Sequence, residues 1–240
     1  MPEILKRYRR EDPYSYTLGS FPTYELLKAA PERCERILYS PAYTGAKELC
    51  AAAAERGIPC LEDAKSVARV GGKGNVYVVG VFRKGEDKPL VSRCHVVLVN
   101  PSDMGNIGTI LRTAAGLGEV DAALIAPCAD LYDPKTVRAS MGALFRVRTA
   151  VFESFEAYRK AYPDRALYPF MLEGSRLLGE TPKPEGSFSL IFGSEASGLP
   201  PSFREVGQTV RIPMTDQVDS YNLAVSAALG LYSFLYRQDR

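Results

Sequence analysis

Histidine and paired cysteines are scarce in this 240-residue sequence. His95 is its one histidine, and the five cysteines are odd in number and include no C-x-x-C pair. Zinc sites combine cysteine and histidine at short spacings, and disulfide frameworks use even numbers of cysteines. We therefore expect no metal and no disulfide framework. His95 opens an apolar strand, where a packed or hydrogen-bonded role is expected rather than a catalytic one.

Long apolar runs and a strong net charge are also absent. The apolar run at residues 96–99 has the length of a strand and is far shorter than a bilayer span. The first ten residues are basic and lack the apolar core of a secretory signal, so we expect a cytoplasmic protein with no membrane partner. The formal net charge of +2 does not by itself indicate a nucleic-acid binder.

Four basic residues stand together at the start of the chain. Lys6, Arg7, Arg9 and Arg10 surround Tyr8. Such a cluster suits contact with RNA phosphates and stacking on bases. A solvated, frayed terminus explains the same pattern equally well.

A charged segment with Gly and Pro, residues 82–90, is the best linker candidate. Before it, alternating helix and strand patterns predict a small α/β domain over residues 1–92. Its first helix is capped by Thr23 and ends near Pro31. The other elements expected there are helices at 46–56 and 63–70 and strands at 36–39, 58–61 and 76–82.

The alternation continues with longer elements over residues 93–240. It predicts an α/β fold, a mostly parallel sheet with helices on both faces. The strands are expected at 96–99, 122–126, 150–152, 167–171, 189–192 and 210–213. The helices are expected at 107–117, 134–143, 155–161, 201–206 and 220–237.

The last predicted helix carries small and apolar residues along one stripe. Small residues let a neighbouring helix approach closely, and burial within the same chain is the alternative explanation. We expect the seam of a homodimer here, formed by Ala224, Ala227, Ala228, Leu231 and Leu235.

Three segments combine glycine or proline with polar side chains where an apolar strand gives way to a helix. They are residues 100–112, 192–199 and 212–222. In open α/β sheets ligands bind outside the carboxyl ends of the strands. We therefore expect these three turns to form one site.

The first turn offers a helix N-terminus, which suits an anion. Asn106 lies at that terminus, where an N-cap or turn role is the alternative to a functional one. Arg112 follows on an otherwise apolar stretch of helix. It must either extend to solvent or bind a fixed partner such as phosphate or carboxylate.

The other two turns carry a carboxylate and a second asparagine. Glu195 needs a partner for its charge, and Arg112 is the natural candidate. Ser220 is the expected N-cap of the last helix. Asn222 would then occupy an early helical position of poor propensity, which suggests a function for its side chain.

In this order the three segments resemble the motifs of the SpoU (TrmH) branch of the SPOUT RNA methyltransferases. That pattern is N-x-G-x-x-x-R, then G-x-E-x-x-G, then I-P-M with a downstream S-x-N, and it is complete here between Asn106 and Asn222. The resemblance covers roughly residues 93–237. More weakly, residues 14–82 are similar to the small RNA-binding domain that often precedes this catalytic domain.

The resemblance implies a C-terminal trefoil knot, a homodimer, and S-adenosylmethionine as cofactor. The implied reaction is methyl transfer to a ribose 2′-hydroxyl of an RNA substrate, ribosomal RNA being favoured over transfer RNA by the separate N-terminal domain. Cofactor contacts fall on Gly193, Ile212, Met214 and Tyr221, the last standing where relatives usually have leucine. The catalytic positions fall on Asn106, Arg112, Glu195, Ser220 and Asn222.

Within that pattern Arg112 would touch the target phosphate and is the family's proposed base. Because arginine resists deprotonation, positioning and electrostatic stabilisation are the more reasonable roles. Glu195 would orient Arg112. The rival interpretations are a non-catalytic RNA-binding protein that retains the fold and a methyltransferase acting on a small molecule.

Overall fold

The computed structural model describes residues 5–72 and 74–237 of the chain. Its helices are α1 (Ser20–Ala29), α2 (Ala46–Ala54), α3 (Ala64–Gly71), α4 (Met104–Leu117), α5 (Pro134–Ala139), α6 (Phe155–Ala161) and α7 (Leu223–Tyr236). Its strands are β1 (Tyr14–Leu18), β2 (Cys34–Tyr39), β3 (Cys60–Glu62), β4 (Val78–Arg83), β5 (Cys94–Val99), β6 (Val120–Ile125), β7 (Thr149–Phe152), β8 (Ala166–Pro169), β9 (Arg176–Leu177), β10 (Phe188–Phe192) and β11 (Val210–Arg211). The helix expected at 201–206 is a 3₁₀ segment, Pro201–Glu205.

The chain divides into two compact units. The first contains the residues up to Glu86 together with Asp130–Arg146, and the second contains Asp87–Ala129 with the residues from Val147 onward. The predicted division into 1–92 and 93–240 differs in two respects. The boundary lies at residue 86, and the segment carrying α5 belongs to the first unit. A single linker in the sequence gives no sign that a later segment returns to the first unit.

The first unit is built on a four-stranded sheet with the order β1-β4-β2-β3. β4 pairs antiparallel with β1 and β2, and β2 pairs parallel with β3. β1 is absent from the predicted elements because its sequence, YSYTL, is half polar. Its Thr17 is nevertheless buried, and its hydroxyl accepts a hydrogen bond from the Gly80 N–H at 2.9 Å. Thr23, the expected helix cap, lies inside α1, which begins at Ser20.

The first unit contains a disulfide, although no pattern in the sequence indicated paired cysteines. It joins Cys50 in α2 to Cys60 in β3, with their Cα atoms 5.3 Å apart. The two cysteines are ten residues apart in sequence and meet because α2 packs on β3. Short-spacing rules do not detect such a pair.

The second unit is built on a five-stranded parallel sheet with the order β7-β6-β5-β10-β8. The expected α/β fold with a mostly parallel sheet is confirmed. α6 packs in one apolar cluster with Ile191 of β10. α7 passes so close to Phe192, the next residue of that strand, that a side chain on Gly230 would meet its ring. Successive residues of a strand face opposite sides, so α6 and α7 cover opposite faces.

His95 is fully buried at the start of β5. Its Nδ1 and the Tyr158 hydroxyl are 2.9 Å apart, and that hydroxyl is 2.6 Å from the hydroxyl of Ser189. The packed, hydrogen-bonded role expected for this histidine is confirmed. Burial, assisted by the nearby charge of Arg165, lowers the pKa of His95 to about 3, so the ring is neutral at physiological pH.

Candidate active site

The sheet of the second unit sets the position of the first two polar turns. β5 and β10 are neighbours, with Leu98 paired to Phe192, so the chain leaves both strands at the same edge. The third turn follows β11, whose Val210 forms a parallel bridge with Phe170 just beyond β8. All three turns therefore start at one edge of the parallel sheet, where open α/β folds bind their ligands.

A cavity of about 1040 Å³ opens at this edge, within the second unit. Its volume is at the upper end of the range for small-molecule sites. Seven of the residues predicted as site residues line it, and the predicted cofactor positions are all among them. These lining residues are Gly193, Glu195, Ile212, Met214, Ser220, Tyr221 and Asn222, and Asn222 also borders a second groove.

The second turn folds back tightly on itself at the wall of this cavity. The Gly198 N–H donates to the Ser194 carbonyl at 2.9 Å, and Gly198 has a φ of +66°. Gly193 is buried, and a Cβ there would overlap the backbone of Gly198 and Leu199. Only glycine fits this position, so the wall is bare backbone that a ligand can approach closely.

Glu195 binds the N-terminal end of α4, not Arg112. Its carboxylate accepts hydrogen bonds from the Ser102 N–H at 3.1 Å and hydroxyl at 3.0 Å, the Asp103 N–H at 3.2 Å and the Asn106 side-chain amide at 3.0 Å. The anion expected at this helix terminus is thus the protein's own carboxylate. The predicted Glu195–Arg112 pair is not formed within one chain, where backbone and side-chain donors of α4 and the turn before it satisfy the charge.

These contacts determine the ionisation of Glu195. Its partial burial opposes ionisation, but the hydrogen bonds from Asn106 and Ser102 outweigh that effect and hold the pKa of Glu195 below its ordinary value. Hydrogen bonds to the charged form of a carboxyl group act in this direction. Glu195 is therefore an anion at neutral pH and a poor proton acceptor.

A chain of side-chain amides ties the three turns together. The Asn222 amide nitrogen donates to the Asn106 side-chain oxygen at 3.0 Å, and the Asn106 nitrogen donates to Glu195. Each turn thus contributes one member: Asn106, Glu195 and Asn222. Because each asparagine amide has one donor end and one acceptor end, the contact with Glu195 fixes the orientation of both amides.

Two helix caps differ from the expected ones. Asp103 caps α4, accepting from the Asn106 N–H at 2.7 Å, whereas a cap role had been considered for Asn106 as the alternative to a functional one. Asn222 caps α7, accepting from the Ala224 N–H at 2.8 Å, whereas Ser220 was expected there. The expectation of a further function for Asn222 agrees with its bond to Asn106.

Tyr221 closes the third turn over its own loop. Its hydroxyl donates to the Pro213 carbonyl at 3.2 Å, and the ring lines the cavity. Leucine, the residue that the family resemblance led us to expect here, has no hydroxyl to make this bond. The loop between the two residues carries Met214 and Ser220 along the cavity wall.

Arg112 is not brought together with the other predicted site residues. It lies on an exposed side of α4 and lines neither the cavity nor the groove between α4 and α7. Within residues 5–72 and 74–237 its guanidinium forms no hydrogen bond or ion pair. Of the two alternatives considered for it, extension to solvent is the one observed in the single chain.

The stripe expected to form a dimer seam is mostly buried in its own chain. Ala224, Ala227 and Leu231 of α7 face the interior of the second unit. The helix instead exposes a different apolar stripe, one residue further along the chain. The α7 stripe, as we call it, consists of Val225, Leu229, Tyr232 and Tyr236, which are 46%, 41%, 62% and 53% exposed.

Ser102 and Asp103 are contributors that the sequence analysis missed. Their signal was a pair of small polar residues directly before the helix, a pattern typical of an N-cap. Over the described ranges, 5–72 and 74–237, no group of acidic, Cys and His side chains is arranged to hold a metal ion. No helix in that part of the chain is long and apolar enough to cross a membrane.

Comparison with known proteins relates residues 93–232 to RNA methyltransferases. A family model described as the SpoU rRNA methylase family matches residues 93–232. The chain is 31% identical over 179 residues to an uncharacterized tRNA/rRNA methyltransferase of Synechocystis sp., covering 70% of this chain and 62% of that relative. The chain therefore spans less than two thirds of that relative's length.

Two further relatives differ in how much of the chain they match. The 23S rRNA (guanosine(2553)-2′-O)-methyltransferase RlmP of Bacillus subtilis is 30% identical over 185 residues, 74% of this chain and 73% of its own length. A putative tRNA (cytidine(34)-2′-O)-methyltransferase of Listeria innocua is 29% identical over 149 residues, 60% of this chain and 88% of its own length.

A solved structure extends the similarity to nearly the whole fold. The AdoMet-bound rRNA methyltransferase of Sinorhizobium meliloti superimposes with a TM-score of 0.79 at 26% identity. The match covers 92% of this chain and 86% of that one.

Proposed function

This chain belongs to the SpoU rRNA methylase family, and from that membership we propose that it methylates a ribose 2′-hydroxyl of RNA with S-adenosylmethionine as cofactor. The observation that carries the proposal is the hydrogen-bonded chain Asn222–Asn106–Glu195, which joins the three motifs at the mouth of one cavity. A chance match to three unrelated motifs would not be expected to bring their side chains into one hydrogen-bonded chain.

The cavity suits S-adenosylmethionine in size and in chemistry. Gly193 leaves bare backbone at the wall, and Ile212 and Met214 supply further backbone and apolar surface. Phe170 and Phe192 also line the cavity and offer flat apolar surface to an adenine ring. Cofactor contacts at Gly193, Ile212, Met214 and Tyr221 are part of this proposal, as is a knot in the surrounding chain.

The protein's own residues have a limited task in this reaction. When bound, the cofactor supplies a methyl group already activated by its sulfonium. The side chains must hold the hydroxyl in line, stabilise the oxygen as its negative charge develops, and let one proton leave. Asn106 and Asn222 are held in fixed orientations beside the cavity, and Ser220 adds a hydroxyl to its wall.

Arg112 enters the reaction from a second copy of the chain. It is exposed and is not among the residues that line the cavity or the neighbouring groove of its own subunit. The α7 stripe gives a second copy an apolar surface to cover, and α7 packs directly against the helix that carries Arg112. We therefore propose a homodimer through α7 in which Arg112 binds phosphate and stabilises the reacting oxygen of the partner's site.

Ribosomal RNA is the favoured substrate. The solved structure described by the 2-OH methylation of C/U34 on tRNA covers 58% of this chain, whereas the structure named as an rRNA methyltransferase covers 92%. The first unit is therefore included in the match to the structure named as an rRNA methyltransferase. We assign RNA binding to that unit and a cytoplasmic location to the protein.

Methyl transfer from radiolabelled S-adenosylmethionine tests the proposal. Purified protein is incubated with total RNA from a deletion strain, with small-metabolite extract, or with cofactor alone. Label in ribose 2′-O positions of RNA is the expected result. Label in a metabolite would identify a small-molecule enzyme, and RNA binding without label would favour the non-catalytic RNA-binding alternative.

A further inference from the structure

The first residues of the described chain are docked on the first unit. Leu5 is 6% exposed and packs in an apolar cluster with Tyr16, Leu38 and Val67. Its N–H donates to the hydroxyl of Ser66 in α3 at 3.0 Å. From Leu5 onward the chain is therefore fixed by core packing and is not frayed, while residues 1–4 lie outside the described part of the chain.

Three more contacts hold residues 5–12, which we call the N-terminal strap. The Tyr16 hydroxyl donates to the Lys6 carbonyl at 2.7 Å, and the Tyr8 hydroxyl donates to Asp130. The Lys84 ammonium donates to the Arg10 carbonyl at 2.7 Å and lies 4.6 Å from the centre of the Tyr8 ring. Tyr8 thus anchors the strap and is not left open for base stacking.

The anchors use backbone atoms and Tyr8, so the cationic side chains remain on the outside. Lys6, Arg7, Arg9 and Arg10 are all exposed. The strap also holds two acidic residues: Glu11, 4.0 Å from Arg9 in an exposed pair, and Asp12, which accepts from the Arg9 N–H at 2.9 Å. Lys65 and Arg69 on the neighbouring α3 are exposed as well.

We propose that the N-terminal strap is a phosphate-contact surface for the RNA substrate. This inference rests on the proposed function and assigns it a surface. Exposed cations held on an ordered protein segment complement the negative charge of the RNA phosphates. Guanidinium groups also fit the geometry of a phosphate. Because the strap is already docked, it loses less conformational entropy on binding RNA than a free tail would. The strap and α3 together hold six cations and two acids, a net charge of +4, against +2 for the whole chain.

A pair of charge-removing variants tests the surface in the full chain. Arg7→Ala/Arg9→Ala is compared with Arg159→Ala/Lys160→Ala, which removes two exposed charges from α6 in the second unit. The probe is a labelled RNA hairpin with single-stranded flanks, titrated between about 50 and 200 mM salt. The strap variant should bind about tenfold more weakly, with its salt slope reduced by about 1–2. The control should change affinity less than threefold.

A third variant tests whether docking matters. Leu5→Ser keeps every charge but removes the buried anchor, and it should also weaken RNA binding severalfold. Unchanged binding of Leu5→Ser, or equal losses in the strap variant and the control, would overturn the proposal. S-adenosylmethionine affinity, measured in parallel, should be the same in all variants. Loss of cofactor binding in the unmodified protein would instead refute the proposed function.

Discussion

Glu195 accepts hydrogen bonds from donors on two sides, so an amide in its place would set an N–H group against other N–H groups. Glu195→Gln should lower the methyl-transfer rate about 5–30-fold, a loss of ~1–2 kcal/mol for a partly exposed network. Single-turnover transfer at saturating cofactor measures it, with Glu185→Gln as an exposed control. Because the pKa of Glu195 lies below its ordinary value, the wild-type rate should show no titration of this group above about pH 5.

His95 should make stability depend on pH in the acidic range. Its pKa is about 3 in the fold and ~6.5 when unfolded, so the unfolded chain takes up a proton that the fold excludes. Its contribution is complete above pH 6.5 and is lost as the pH falls toward 3, by up to ~1.4 kcal/mol per unit. Urea unfolding at several pH values gives the free energy of unfolding as a function of pH. Between about pH 3 and 6.5 this free energy should change less with pH for His95→Gln than for the wild-type protein. Equal slopes in the two proteins would contradict this.

The Tyr221 hydroxyl should contribute to cofactor affinity by holding its loop closed. Tyr221→Phe removes only the bond to the Pro213 carbonyl, which is worth ~0.5–1.5 kcal/mol. The Kd for S-adenosylmethionine should therefore rise about 2–10-fold by calorimetry. If Tyr221→Phe binds as tightly as wild type, the loop keeps its shape without this bond.

At the scale of elements, the α7 stripe should control assembly. Leu229→Asp places a charge in the middle of the stripe and should convert a dimer to monomer, as measured by light scattering. Val91→Asp is the matched control, since Val91 is 68% exposed and lies outside α7. A Leu229→Asp protein that stays dimeric would locate the interface elsewhere.

The sequence predicted most elements of the second unit and the three turns of the site, because buried strands and their glycine-containing turns leave strong local patterns. The sequence did not identify a residue's role where two neighbouring residues suit that role equally well. Asp103 and Asn106 can both cap α4, and Ser220 and Asn222 can both precede α7. Local patterns also could not identify the partner of Glu195, since the backbone donors at Ser102 and Asp103 are less conspicuous in a sequence than Arg112.

At the scale of the whole molecule, mixed dimers test whether Arg112 acts in the partner's site. Arg112→Ala alone should lose ~3–4 kcal/mol of transition-state stabilisation, roughly a hundred- to thousandfold in rate, with cofactor affinity unchanged. Mixing it with Glu195→Gln gives heterodimers in which one site has both residues intact, if Arg112 acts across the interface. Co-refolded mixtures should then recover roughly a quarter of wild-type activity. A mixture no more active than its components would place Arg112 in its own subunit's site.

The return of Asp130–Arg146 to the first unit has a consequence during synthesis. A chain emerges from the ribosome N-terminus first, at ~5–20 residues per second. When Glu86 has emerged, the first unit still lacks α5 and the Asp130 partner of Tyr8. The 60 residues up to Arg146 follow over about 3–12 seconds. In that interval β5, α4 and β6 appear before the first unit can be completed, so the maturation of the two units is interleaved in time.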